Sequence, residues 1–372
     1  MDIIILTLQF QKKIKLTYSE SIREAPDSIL RTNLHILHVA AYYDSLETFL
    51  FVYNFGFDPN VKSSNEFYPL HYACLGGAIE VASFLCTPEI INVKGLNFAP
   101  LNTQFTPIFL ATLSKSFDIL ELLFENGATI PRYSTKDSPI HQAIRCKDYR
   151  CLSLLLSHTN SERLDEKNFS PIMKAISFGF PEAVKILVDH GGDLSYQTPE
   201  GKNALSYACN QKDENMVKYL LDNGINPTVR DKLGQYPIHW AATSGNVNIV
   251  KLILENGGEA NVFDFRGRPP TFSAIIAGNN FDQILKILFE SGCDPNAKQI
   301  SNGATILNSL IIMDATPVVL SSIKVALESG ADLSIVGKNK KSIYEMVKIA
   351  SKPAIVKLVE DFIHEHPDVK VK

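Results

Sequence analysis

A short phrase built around proline recurs along the chain at a nearly constant spacing. Its clearest copies are Tyr68-Pro69-Leu70-His71, Thr106-Pro107-Ile108-Phe109, Ser138-Pro139-Ile140-His141, Ser170-Pro171-Ile172-Met173 and Tyr236-Pro237-Ile238-His239. Weaker copies begin at His35, Asn203, Pro269, Ala304 and Lys341. Consecutive copies start 32 to 38 residues apart. A fixed period of this length predicts a stack of similar units, each of which buries its apolar faces against its neighbours.

An apolar stripe ended by glycine follows each proline phrase. Good examples are residues 119–127, 184–191, 217–224, 250–257 and 284–292. Apolar residues at i, i+3 and i+4 before a glycine predict a helix that ends in a left-handed residue. The proline phrase predicts the start of an earlier helix, because Ser or Thr caps free N–H groups and proline suits the first turn.

Polar segments separate the glycine from the next proline phrase. Asp231 and Gly234, and then Asp264 and Gly267, are placed as in a tight hairpin turn. Each unit is therefore predicted to be a helix, a short turn, a second helix and a projecting β-turn.

Together these features resemble the ankyrin repeat, which has a period of 33 and the signature Thr-Pro-Leu-His-x-Ala. The unit that starts at Tyr236 is the best match, and the resemblance covers roughly residues 33–364. It implies an all-α ankyrin-repeat solenoid of helix-turn-helix units with projecting β-turn or hairpin tips. We expect about ten repeats over residues 33–366, an N-terminal cap or truncated repeat at 1–32, and a flexible tail at 367–372.

Several units depart from the pattern. The second lacks its final glycine, which predicts an irregular loop over residues 87–105. The fourth has Asn160 where glycine is expected, and asparagine also tolerates the left-handed conformation. The eighth and ninth carry extra residues near 278–282 and 313–316. The last reads as a polar C-terminal cap.

Composition limits the classes of function. The 372 residues carry a net charge of −4, which argues against a sequence-independent nucleic-acid binder. The six cysteines form no C-x-x-C pair and are too sparse for a disulfide framework, so we expect a reducing compartment, the cytoplasm or alternatively the nucleus. No apolar run is long enough to span a bilayer. The apolar start, residues 1–10, lacks the charge pattern and cleavage site of a signal peptide.

No arrangement of residues indicates catalysis. There is no phosphate-binding loop or nucleophile motif, and the chain is expected to be neither an enzyme nor a cofactor or metal binder. Four histidines share one place in the proline phrase, and the resemblance implies that they hydrogen-bond the neighbouring turn: His38, His71, His141 and His239. Five phrase prolines are assigned to the same structural motif: Pro69, Pro107, Pro139, Pro171 and Pro237.

The resemblance implies a monomeric, non-catalytic scaffold or adaptor that binds proteins on a concave face made of the turn tips and first helices. Exposed helix positions and tips give the candidate contacts: Tyr42, Tyr43, Arg145, Phe178, Lys232, Leu233, Gln235, Thr243, Phe265, Arg266 and Arg268. Trp240 is a further candidate, although its position is usually apolar and half-buried and is more typical of a core residue. Two alternatives stay open: a docking module of a larger enzyme or channel, suggested by the apolar residues 2–5, and a secreted effector.

Overall fold

A computed structural model describes residues 34–100, 103–130, 138–159, 164–165, 167–337, 340–350 and 352–369. Within these ranges the regular structure is α-helical, which confirms the predicted all-α class, and the β-structure is one isolated bridge between Val336 and Ser342. The predicted cap at 1–32, Asn160 and the last three residues of the predicted tail lie outside the described residues.

The helices of the described residues come in ten pairs with one additional short helix. In chain order they are α1 (Ile36–Tyr42) and α2 (Leu46–Asn54), α3 (Pro69–Gly76) and α4 (Ile79–Leu85), the short α5 (Val93–Leu96), α6 (Pro107–Leu113) and α7 (Phe117–Glu125), α8 (Pro139–Arg145) and α9 (Tyr149–His158), α10 (Pro171–Ser177) and α11 (Pro181–Asp189), α12 (Ala204–Gln211) and α13 (Glu214–Asp222), α14 (Pro237–Ser244) and α15 (Val247–Glu255), α16 (Pro270–Ile276) and α17 (Phe281–Glu290), α18 (Ile306–Ile312) and α19 (Pro317–Glu328), and α20 (Ile343–Ala350) and α21 (Pro353–Glu365).

The proline phrase begins the first helix of most pairs. Thr106 and Ser170 cap α6 and α10, since their hydroxyl oxygens accept hydrogen bonds from the backbone N–H groups of Phe109 (3.2 Å) and Met173 (3.3 Å). Proline occupies the first helical turn, where its missing N–H would have had no partner within the helix. The phrase thus sets where each repeat begins.

The chain divides into two compact units, Met1–Asp193 and Leu194–Lys372. In the first unit, each first helix packs against the next (α1, α3, α6, α8, α10), and the second helices form a parallel row. In the second unit, the second helices α13, α15, α17, α19 and α21 pack in the same sequential manner. Side chains such as Ile140 and Leu155 in the first unit, and Leu220 and Ile253 in the second, are fully buried between these layers.

Irregular segments lie where the spacing between phrases lengthens. The short helix α5 lies within the long loop after α4. Residues 277–280 connect α16 to α17, and residues 313–316 connect α18 to α19, whereas two residues suffice between α14 and α15. The extra residues therefore lengthen connections and leave the helix pairs intact.

Candidate partner-binding surface

The phrase histidines are buried and their ring nitrogens are used within the fold. The Nδ1 atom of His71 accepts the backbone N–H of Tyr68 (3.2 Å), and its Nε2 atom donates to the carbonyl oxygen of Phe98 (2.9 Å). Three further rings have matching Nε2 contacts with a later turn: His38 with Val61 (3.1 Å), His141 with Phe169 (3.4 Å) and His239 with Arg268 (3.1 Å).

These contacts fix His38, His71 and His239 in a neutral state. Burial lowers the pKa of both His38 and His71 to about 4, and it also lowers the pKa of His239. In these three rings a proton added at Nδ1 would point at a backbone N–H group that already donates to that nitrogen. The neutral tautomer with its proton on Nε2 is therefore the one that fits. Such rings join each repeat to the next turn and have no nitrogen left for a metal ion or substrate.

A buried aspartate organises each of two consecutive tips in the second unit. The Oδ1 atom of Asp231 accepts the backbone N–H groups of Leu233 and Gln235, both at 2.9 Å. Asp264 binds the N–H groups of Arg266 and Arg268 in the same way, again at 2.9 Å. The sequence-predicted tight turns are thus stabilised by carboxylates that are almost completely buried.

Arg268 corrects the expectation that every residue of the tips is exposed. Its Nε and Nη2 atoms donate to the Oδ2 atom of Asp264 at 2.9 and 2.7 Å, and only 26% of its side chain is accessible. Burial alone would raise the pKa of Asp264, but hydrogen bonds from the Arg268 side chain and from backbone amides hold that pKa below its ordinary value. Arg268 therefore stabilises the turn, and Gln235, at the matching position, is also half-buried.

Neighbouring tips in this unit are joined by backbone hydrogen bonds. The N–H of Phe265 donates to the carbonyl of Leu233 (3.0 Å), and the N–H of Ile300 donates to the carbonyl of Arg266 (2.9 Å). Gly267 makes the second approach possible, since its φ is +71° and a Cβ atom there would lie 2.7 Å from Cγ1 of Ile300. The tips consequently form a continuous edge.

Large apolar side chains project from that edge, one from each tip. Leu233 is 60% exposed, Phe265 59% and Ile300 70%. The guanidinium of Arg230 lies 5.4 Å from the centre of the Phe265 ring, within the range of a cation–π contact. We call Leu233, Phe265 and Ile300 the tip row.

A second set of exposed apolar residues lies on the first helices. Ile276, Ile312 and Ile349 occupy the same position of α16, α18 and α20, and each is 58 to 68% exposed. We call these three the helix row. These three residues and Ile300 were not predicted from the sequence, although aligning the weak phrases at Pro269, Ala304 and Lys341 on their helix starts reveals the repeated isoleucine.

A groove of about 370 Å³ lies beside both rows. The residues that line it are Gln299, Asn302, Ala304, Asn308, Ser309, Ile312, Gly337 and Met346. Ile312 belongs to the helix row, and Gln299 precedes Ile300 of the tip row. The groove combines amide and hydroxyl groups with apolar side chains.

The other predicted contact residues of the second unit are only partly accessible. Trp240 is half-buried, the Nζ atom of Lys202 lies 4.2 Å from its ring centre, and its indole N–H has no hydrogen-bond partner among the described residues. Thr243 is also half-buried, and its hydroxyl donates to the carbonyl of His239 (2.9 Å). Lys232 and Arg266 are exposed as predicted for the tips.

In the first unit the predicted residues lie on separate repeats. Tyr43 and Phe178 are 40 and 39% exposed, and Arg145 is exposed at the end of α8. Tyr42 is half-buried and its ring meets that of Tyr43 edge-on, with the centres 5.1 Å apart. No row comparable to the tip row is formed by these four residues.

The first unit has its own exposed aromatic cluster near the start of the described chain. Phe51, Phe55 and Phe57 are 46 to 65% exposed, and together with Leu34 and His35 they line a cavity of about 270 Å³. This cluster was not predicted from the sequence. The cap predicted for residues 1–32 stays a prediction.

The exposed surface of the second helices has a different character. Lysine recurs there at Lys218, Lys251 and Lys286, and each is followed four residues later by an acid. In the third case the Nζ atom lies 3.9 Å from Glu290. Alternating charge at i and i+4 is typical of a solvated helix face.

Possible metal ligands do not cluster within the described residues. No group of three or more His, Cys, Asp or Glu side chains there could hold a metal ion. All six cysteines are buried and free, and burial raises the pKa of Cys86 to about 11 and of Cys293 to about 12. No helix of the described part is both long and apolar enough to cross a membrane.

Comparison with protein families matches most of the chain to one of them. The family model described as ankyrin repeats (3 copies) matches residues 37–134, 140–231 and 226–299. Two solved ankyrin-repeat domains are also similar: that of Bcl-3 (23% identity, TM-score 0.48, 54% of this chain and 92% of that one) and that of human ASB11 (22% identity, TM-score 0.43, 66% and 96%).

Curated relatives include proteins of several kinds. Transient receptor potential cation channel subfamily A member 1 of Homo sapiens is 28% identical over 169 residues, which are 42% of this chain and 15% of that protein. Inversin of Canis lupus familiaris is 29% identical over 120 residues, 31% of this chain and 11% of that one. The probable 26S proteasome regulatory subunit p28 of Saccharomyces cerevisiae is 27% identical over 153 residues, 39% and 64%. The match thus covers less than two thirds of each relative's length.

Proposed function

Since this chain belongs to the ankyrin-repeat family, we propose that it is a non-catalytic scaffold or adaptor that binds a protein partner on its tips and first helices. The tip row carries this proposal: three large apolar side chains on consecutive tips are each at least 59% exposed. Exposed apolar groups that lie together on a soluble surface are typical of interaction sites, because binding removes them from water.

The contrast between the two surfaces supports the same assignment. The second helices present lysines balanced by acids at i+4, whereas the tips and first helices present isoleucine, leucine and phenylalanine. The buried histidines and cysteines leave the repeats with structural groups in place of reactive ones. We accordingly propose a monomer that acts by binding, in the cytoplasm.

A second form of this function is a docking module of a larger assembly. The relatives favour it, since they include a member of a cation channel subfamily and a probable proteasome regulatory subunit, and the matched segment is 15% of the channel protein. In either form the binding surface would be the same.

Affinity capture from an extract of the native cell tests the proposal. The full chain is compared with a variant that carries Leu233→Ser, Phe265→Ser and Ile300→Ser. A control variant carries Lys218→Ser, Lys251→Ser and Lys286→Ser on the second helices. Arg268 stays unchanged in both, because its loss would disturb the turn that it stabilises.

We expect the control to keep the proteins captured by the unchanged chain and the tip variant to lose them. Identical captured proteins for all three forms would refute the tip row as the binding surface. Circular dichroism of each variant checks that its helices are intact.

A further inference from the structure

The tips of the second unit carry an excess of exposed positive charge. Within the three tips that form the tip row, Arg230, Lys232, Arg266 and Lys298 are all exposed. Two of the acids, Asp231 and Asp264, are only 5 and 6% exposed because they organise the turns, whereas Glu259 and Asp294, which precede the second and third tips, are exposed. Burial of the two turn aspartates leaves the cations in excess on the surface.

These four cations are not neutralised by the fold. None of them forms a salt bridge with a described residue, whereas Arg268 on the same edge is paired with Asp264. The preceding tip adds one exposed acid, Glu200, and one cation, Lys202, which approaches Trp240. The edge therefore presents apolar side chains within a positive field, although the whole chain has a net charge of −4.

The groove beside the edge supplies polar groups for a bound chain. The side-chain amide of Gln299 and the hydroxyl of Ser309 form no hydrogen bond with described residues, and both line the groove. Asn308, in contrast, is already used, since its Oδ1 atom accepts the N–H of Thr305 (2.8 Å). Ile312 and Met346 provide apolar walls. A recess of this kind fits a peptide with side chains better than a flat lipid surface.

We propose that the tip row and the adjoining groove bind an extended acidic segment of a partner protein that also carries large apolar side chains. The proposal rests on the proposed scaffold function and specifies the chemistry of its partner. Carboxylates would face Arg230, Lys232, Arg266 and Lys298, and apolar side chains would cover the tip row. Stacked helices lie about 10 Å apart, and an extended chain advances about 3.3 Å per residue, so one apolar side chain about every third residue matches the tips.

Fluorescence anisotropy with labelled peptides tests this chemistry on the full chain. The probe is a peptide of about twelve residues, long enough to span four tips, built from repeated Glu-Phe-Glu. Matched probes use Gln-Phe-Gln, Lys-Phe-Lys and Glu-Ser-Glu. We expect saturable binding of the Glu-Phe-Glu probe, with binding at least about tenfold weaker for each of the others.

A pair of charge-reversal variants locates the site. Lys232→Glu with Arg266→Glu should weaken binding of the acidic probe by about tenfold or more, since two attractive charges become repulsive at the contact surface. Lys218→Glu with Lys251→Glu makes the same change of net charge on the second helices and should leave binding nearly unchanged. Raising the salt concentration should weaken binding only where the tip cations are present.

Several results would overturn the inference: no saturable binding, equal binding of the Glu-Phe-Glu and Gln-Phe-Gln probes, or equal losses in the two charge-reversal variants. The inference would also be overturned if the chain bound phosphatidylserine vesicles or a single-stranded RNA more tightly than the peptide, and if that binding were lost in the tip variant. Sedimentation measures the binding to vesicles. If the peptide fails but the tip variant of the capture experiment still loses its proteins, only the acidic chemistry is wrong. If that capture is also unchanged, the proposed function fails as well.

Discussion

Replacing Gln235 by arginine should stabilise the tip that Asp231 organises. In the next tip, the residue at the same position is Arg268, and two of its nitrogens donate to the Oδ2 atom of Asp264 at 2.9 and 2.7 Å. The Oδ2 atom of Asp231 is buried and has no hydrogen-bond partner among the described residues. Gln235→Arg would supply the missing donor.

The expected gain follows from the Asp264 pair. A hydrogen bond to a charged group contributes about 1.5–3 kcal/mol, and fixing a long side chain costs up to about 2 kcal/mol. The side chain of Arg268 is 26% accessible, so water screens part of the charge interaction. A net stabilisation of about 1 kcal/mol is expected, which corresponds to roughly a fivefold change in a local opening equilibrium.

Amide hydrogen exchange measures this effect locally. The N–H groups of Leu233 and Gln235 both donate to Asp231, so their exchange reports opening of the turn. We expect roughly fivefold slower exchange at 233 and 235 in the Gln235→Arg variant. The gain should disappear when Asp231→Asn is also present, because the charge that attracts arginine is then lost. Unchanged or faster exchange, or an equal gain in the Asp231→Asn background, would refute the reasoning.

Three further predictions concern buried groups. Burial depresses the pKa of His38 and His71 to about 4. The first unit should therefore be fully stable above pH 6.5 and should lose up to about 3 kcal/mol of unfolding free energy per ring as the pH falls toward 4. Thermal unfolding between pH 4 and 8 measures this loss, and a stability that does not change with pH would contradict it. Gly267→Ala should lower the free energy of unfolding in urea by about 1–2 kcal/mol more than Gly278→Ala. Both glycines have a positive φ, but only at Gly267 would an added Cβ lie against Ile300. Equal losses in the two variants would be inconsistent with the tight contact between the tips. The six thiols should react with a thiol reagent only after denaturation, and fast labelling of the native chain would show that they are accessible.

The period of the sequence was sufficient to predict the helix pairs. Proline can enter a helix only in its first turn, so Pro107, Pro139, Pro171 and Pro237 mark helix starts, and the structure begins α6, α8, α10 and α14 at these residues. The lengthened connections after α16 and α18 also follow from the spacing of the phrases. Local rules of helix geometry are sufficient for these features.

The accessible surface was harder to predict, because it depends on which side chains a turn uses internally. Arg266 and Arg268 are two residues apart and identical in type, yet only Arg268 reaches the Oδ2 atom of Asp264. The helix row was missed for a different reason. Ile276 and Ile312 follow weak copies of the phrase, and each stands directly before a lengthened connection to the second helix of its pair. Composition could not reveal the positive edge either, because its excess of exposed positive charge arises from the burial of Asp231 and Asp264.

Site-specific photo-crosslinking in the native cell tests the central claim most directly. Benzoylphenylalanine is introduced in place of Phe265 on the tip row or Ile312 on the helix row, and in place of Lys251 or Lys286 on the second helices. We expect crosslinks to the same partner protein from positions 265 and 312 and none from 251 and 286. Crosslinks from 251 or 286, with none from 265 or 312, would contradict it.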